Sequence, residues 1–139
     1  MKNFKLGIIL LILVLGGSSV FAQTPVKPVR PFSNYRIAGG LVFVSGQIGV
    51  SELIACKSSF TDEVHACIKK VSSVLNETGL SLQNTVSITV YLKNIEQFNE
   101  FNEVYLKYFK APFPTRTCVI VKDLVQNSNI EISAVASMN

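Results

Sequence analysis

Arg116 lies in the run Phe113-Pro114-Thr115-Arg116-Thr117-Cys118-Val119, where a proline turn leads straight into a strand of mostly apolar neighbours. A guanidinium does not give up its charge, and burying it without a partner is costly. The position therefore predicts an anion beside it, either a ligand carboxylate or a carboxylate of the chain. Glu131, in the last apolar run, is the candidate within the chain. Arg116 is thus either an anion clamp or one half of a structural ion pair. The single histidine, His65, has no second imidazole to share a metal with, and it is expected on the solvated side of a helix.

Alternation along the strand puts Arg116, Cys118 and Ile120 on one face and Thr117, Val119 and Val121 on the other. The other elements follow from similar periodicities. Gly39-Gly40 predicts a turn between two short strands, the second being Leu41-Val42-Phe43-Val44-Ser45, apolar on both faces and so expected to be covered on both. Ser45-Gly46-Gln47 closes that strand with a glycine that permits a bulge or a close approach. Ser59, with Asp62 three residues on, starts a helix with an apolar stripe through Phe60, Val64, Cys67, Ile68, Val71, Val74 and Leu75; Gly79 follows its end. Residues 85–92 alternate, with Val86, Ile88, Val90 and Leu92 expected to face the helices. Asn94 with Gln97 predicts the cap of a second helix, whose stripe is Phe98, Phe101, Tyr105, Tyr108 and Phe109. In the last strand Ile130, Ile132, Ala134 and Ala136 share one face, and Glu131, Ser133 and Val135 the other. The order is β-β-α-β-α-β-β, an α+β plan with two helices on one face of a mixed sheet. Such a sheet leaves its second face over, and its mild polarity predicts association between copies.

The chain has 139 residues and a formal charge of +4. Lys2 and Lys5 precede the apolar run Leu6–Leu15, which Gly16-Gly17-Ser18-Ser19 breaks before the small-residue pattern Val20-Phe21-Ala22. Residues 1–22 therefore read as a secretory signal peptide, residues 23–31 as an extended proline-containing leader, and residues 32–139 as a single domain. The apolar run is far shorter than the roughly 20 residues of a membrane-spanning helix, so no membrane association is expected once the signal is cleaved. The protein is expected to be exported, periplasmic or secreted. Cleavage would remove two of the positive charges and no acid. No basic stripe remains that would predict nucleic-acid binding. Three cysteines in an exported chain allow one disulfide, for which Cys56 and Cys67 are the first pair to consider; equally, Cys67 fits a small core residue on its helix.

Taken together, Arg30-Pro31-Phe32-Ser33, Ser45-Gly46-Gln47, Asn102-Glu103-Val104-Tyr105, Phe113–Val119 and Ile130-Glu131-Ile132-Ser133-Ala134 resemble, in this order, the signatures of the Rid (reactive intermediate deaminase) or YjgF family. The resemblance runs from about Pro31 to Ala136. It implies a chorismate-mutase-like fold, a homotrimer, and pockets at the subunit interfaces. For the RidA-like branch it also implies hydrolysis of enamine and imine intermediates, such as 2-aminoacrylate, to 2-oxo acids and ammonia without metal or cofactor. By the same resemblance Arg116 grips the substrate carboxylate and Glu131 positions water or moves a proton. Phe32, Ser45, Asn102 and Cys118 match pocket positions.

Three departures stand out. Arg30-Pro31-Phe32 occupies the place of the family's G-P-Y, so a phenol hydroxyl is missing; Ser133 replaces the second acid of E-I-E; and the signal peptide implies substrates met outside the cytoplasm. Two functions consequently compete. One is an imine and enamine deaminase working through Arg116 and Glu131; the other is a non-catalytic trimeric small-molecule-binding or protein-interaction module that keeps the pocket. A ribonuclease is a third reading, opposed by the absence of a histidine pair.

Overall fold

Among the described residues seven helices and strands follow the expected order. The computed structural model describes residues 30–50 and 59–139. Strands β1 (Tyr35–Ala38) and β2 (Leu41–Ile48) precede helix α1 (Phe60–Asn76), strand β3 (Thr85–Leu92), helix α2 (Phe98–Tyr108), and strands β4 (Thr115–Ile120) and β5 (Ile130–Ser137). The five strands form one sheet in the order β1-β2-β5-β3-β4. Every pairing is antiparallel except β3 with β4, which are parallel and joined through α2. The signal peptide, the leader as far as residue 29, and Cys56 within the irregular stretch lie outside the described residues.

Local chemistry explains the boundaries. Gly39 and Gly40 both take positive φ, as a two-residue hairpin turn matching strand twist requires, and they join β1 to β2. Ser59 accepts a hydrogen bond from the Asp62 backbone N–H while the Asp62 carboxylate accepts one from the Ser59 N–H, completing a capping box at α1. Asn94 caps the short 3-10 turn Ile95–Gln97 rather than α2 itself, and Gln97 stands at the start of α2 without a side-chain cap bond. A tight turn precedes the helix proper, so the cap signal and the helix start are offset by one turn.

The core lies between the helices and one sheet face. Val64, Cys67, Ile68, Val71 and Leu75 of α1 and Phe101, Val104 and Tyr105 of α2 pack on Val42, Val44, Ile88, Val90, Leu92, Ile130, Ile132, Ala134 and Ala136. Each large aliphatic side chain fully buried there contributes about 1.5–3 kcal/mol. Val86 departs from its expected inward place and is 45% exposed, while Thr85 is buried. The β3–β5 register shifts between Thr85 and Ser87, and that bulge moves Val86 off the helix face. His65 also departs from expectation. It is half-buried, its Nδ1 lies 2.7 Å from the Tyr108 hydroxyl, and the two rings meet edge to face between α1 and α2.

The second sheet face carries Phe43, Tyr91, Val119 and Val135 among Ser87, Thr89, Thr117 and Ser133. Phe43 is 44% exposed, so β2 is not covered on both sides within one chain. Among the described residues no helix is long and apolar enough to cross a membrane.

Candidate functional site

Arg116 projects from the helix side of β4, the edge strand. Its register partner on β3 is Ile88, which is buried under the helices, and directly opposed side chains share a face. Among the described residues no strand lies beyond β4, so the guanidinium reaches past the sheet edge over α2 and remains exposed. Its Nη1 donates to Asn102 Oδ1 at 2.9 Å, and its Cζ lies 4.9 Å from the Tyr105 ring centroid, 5.4 Å from Phe101 and 5.8 Å from Phe98. An amide oxygen and three ring faces hold a cation in place without neutralising it. Among the described residues Arg116 forms no ion pair. Its concavity, about 440 Å³, is walled by Asn102, Tyr105, Leu106, Phe113 and Pro114.

Cys118 lies two residues along the same face, opposite Val90, and is half-buried. Burial pushes its thiol pKa up, and the Arg116 charge draws it partly back. Tyr105 behaves likewise, raised by burial and opposed by Arg116.

Glu131 occupies a different concavity, about 180 Å³, together with Phe32, Gly46, Gln47, Lys70 and Gln126. Its cross-strand partners are Tyr91 on β3 and Ile48 on β2. The expected bulge is present, with the β2–β5 register shifting between Val44 and Gln47. It brings the Gly46 backbone so close to Glu131 that a Cβ there would overlap the carboxylate. Phe32 is 59% exposed at this concavity. Ser45 anchors the segment leading to it, since its hydroxyl donates to the Ser33 carbonyl at 2.6 Å. Lys70 ties the far wall by donating to the carbonyls of Ile48 (2.7 Å) and Val50 (3.1 Å). Gln126 and Asn127 take positive φ in the turn before β5, a conformation that side chains disfavour and that clusters near functional sites.

The sequence-predicted residues thus form two groups within one chain: Arg116, Asn102 and Cys118 on one side, and Glu131, Phe32 and Ser45 on the other. Glu131 is not the internal partner of Arg116; Asn102 takes that place because the two charges leave opposite faces of the sheet. Cys67 has no disulfide partner among the described residues; it is a fully buried thiol whose S–H donates to the Gln47 carbonyl, and burial holds its pKa far above the ordinary thiol value. This is the core role weighed for it; the alternative partner, Cys56, is not among the described residues.

Sequence reasoning missed Glu63. It sits on the apolar stripe of α1, three residues after Phe60 and four before Cys67, and an acid at that spacing was the available signal. The cation-holding role of Phe98, Phe101 and Tyr105 was also missed, since a helical aromatic stripe reads equally well as core.

A family model described as Endoribonuclease L-PSP matches residues 22–138. The chain is similar to a RutC family protein of Aquifex aeolicus, 39% identical over 117 residues, covering 82% of this chain and 93% of that protein. It is also similar to a human 2-iminobutanoate/2-iminopropanoate deaminase, 34% identical over 112 residues, covering 78% and 80%. Among solved structures, E. coli TdcF with bound serine aligns with a TM-score of 0.73 at 29% identity, covering 81% of this chain and 91% of that one. The YjgF gene product of E. coli aligns with the same TM-score at 26% identity and the same coverages.

Proposed function

This chain belongs to the endoribonuclease L-PSP family, which includes the RutC and YjgF proteins, and we propose that it is a RidA-like deaminase hydrolysing imines and enamines of 2-oxo acids. The observation that carries this reading is Arg116, a guanidinium held against Asn102 and three aromatic rings with no carboxylate against it among the described residues, facing an open concavity. A planar fork of donors suits a substrate carboxylate bidentately. An imine carbon is already electrophilic, so the chemistry left to the protein is orientation, water delivery and proton transfer. Glu131 takes the proton of the attacking water as it adds to the imine carbon. Glu131 returns that proton to the nitrogen to give a carbinolamine, whose hydroxyl proton then passes to the nitrogen as the C–N bond breaks, the carbonyl forms and ammonia leaves.

Arg116 and Glu131 cannot serve one small ligand within a single chain, so the site is completed across an interface in which one protomer gives Arg116, Asn102 and Cys118 and its neighbour gives Glu131 and Phe32. The open sheet face, with Phe43, Val119 and Val135 among small hydroxyl residues, supports closure into a homotrimer. Export remains part of the proposal and rests on residues 1–22. Despite the family's description, the site gives a ribonuclease little support: the sole histidine is engaged with Tyr108 and lines neither concavity.

The test is release of 2-oxo acid from imines generated in situ by an amino-acid oxidase. Acceleration at micromolar protein is expected, and Arg116→Ala should raise KM roughly 10- to 100-fold by removing a charge-assisted contact. No acceleration by the wild type overturns the deaminase reading. The competing binding module is favoured by one observation, the missing hydroxyl at Phe32. On that reading the protein would bind 2-oxo acids through Arg116 without turning imines over.

A further inference from the structure

Glu63 is 4% exposed on α1, yet it carries a carboxylate. Such burial is costly unless the oxygens are satisfied. Both are satisfied by one residue: Oε1 accepts the Asn129 backbone N–H at 2.7 Å, and Oε2 accepts the Asn129 side-chain amide at 2.8 Å. Asn129 is the last residue before β5, and its own carbonyl accepts the Lys93 N–H at 3.1 Å, just beyond β3. It is therefore fixed to α1 and to the end of β3 at once. Glu131 follows two residues later, between the buried side chains Ile130 and Ile132.

Glu63 also touches the opposite wall. A Cβ on Gly49 would overlap the Glu63 backbone carbonyl and come within 2.6 Å of its Cγ, so the end of β2 rests directly on this residue. Gly46, three residues earlier, packs in the same way on the Glu131 carboxylate. One buried residue therefore touches both segments that fix that carboxylate, chiefly through its backbone at the Gly46–Gly49 wall and through its carboxylate at the start of β5. We propose that Glu63 is a positioning residue for Glu131, setting its carboxylate through the Asn129 clamp. The inference rests on Glu131 being the acid/base group of the proposed reaction.

Glu63→Gln keeps one acceptor for the Asn129 N–H, and a flipped Asn129 amide can accept from the new Nε2. Glu63→Leu removes both bonds. The experiment compares the two, with imine hydrolysis measured per folded trimer and the Glu131 side-chain carboxyl followed by NMR in 13C-glutamate-labelled protein, assigned by its loss in Glu131→Gln. Expected for Glu63→Leu is a fall in kcat of roughly 10- to 100-fold with KM within about twofold, because Arg116 is untouched, and a moved or broadened Glu131 resonance. Glu63→Gln should keep both close to wild type. If Glu63→Leu does not fold, Asn129→Ala removes the side-chain prong alone and should show the same pattern to a smaller degree.

A folded Glu63→Leu or Asn129→Ala protein with kcat and the Glu131 resonance unchanged overturns the proposal. A fall in kcat that Glu63→Gln does not rescue also counts against it. If the wild type does not turn imines over, the deaminase reading fails by itself, and the resonance still decides whether Glu63 holds Glu131.

Discussion

Arg116 and Glu131 leave opposite faces of the same sheet. Arg116 is in register with Ile88 of β3 and Glu131 with Tyr91, three residues further along that strand, where side chains alternate. Two groups so placed cannot close on one small ligand from within a chain.

Subunit mixing follows from this. Arg116→Ala and Glu131→Gln chains, assayed at substrate far below the raised KM of Arg116→Ala so that each alone is nearly silent, should complement when denatured together and refolded at equal ratio. With each site drawing one group from each of two neighbours, random assembly restores about one quarter of the wild-type sites. The measurement is imine hydrolysis by the mixture. Activity no higher than the sum of the two variants would place both groups in the same chain's site.

Gly46 and Gly49 are both too crowded for a side chain, but by different neighbours. At Gly46 the obstacle is the far end of the flexible Glu131 side chain, whereas at Gly49 it includes the α1 backbone. Gly46→Ala should leave the melting temperature within a few degrees while lowering kcat about 100-fold, the cost of displacing the proposed acid/base group by about 1 Å. Gly49→Ala should destabilise the fold by about 1–3 kcal/mol, read by urea unfolding.

Asp62 accepts from the Ser59 side chain and backbone, and these bonds hold its pKa below the usual carboxylate value of 3.8. A depressed folded pKa stabilises the fold above pH 3.8, and that contribution is lost as pH falls through the depressed value. Ser59→Ala should therefore be less stable than wild type at neutral pH, with the gap narrowing below pH 3.8. Urea titrations at a series of pH values measure it; a gap independent of pH would remove Asp62 from the effect.

Cys67 should resist alkylation. Its thiol is buried and its pKa is pushed up by loss of solvent, so little reactive thiolate forms. Native protein treated with iodoacetamide at pH 8 should leave Cys67 unmodified by mass spectrometry, and unfolding in denaturant without reductant should expose it. If Cys67 becomes reactive only after reduction, it forms a disulfide and is not a core thiol.

The sequence by itself determined the element order, the two apolar helix stripes, the Ser59 cap, the Gly39-Gly40 turn and the inward face of β5. Each depends on spacing between near neighbours, which periodicity and backbone preference report directly. It also singled out Arg116 and Glu131, because a fixed charge in an apolar strand demands an explanation. Only tertiary structure decided what those charges meet. The Asn102 and aromatic seat of Arg116, the bulge that turns Val86 outward, the His65–Tyr108 contact and the Glu63–Asn129 clamp all join residues distant in sequence. Periodicity assigns a side chain to a face of its own element, but which faces come together depends on strand order and register, and those are set by packing the whole sheet against its helices.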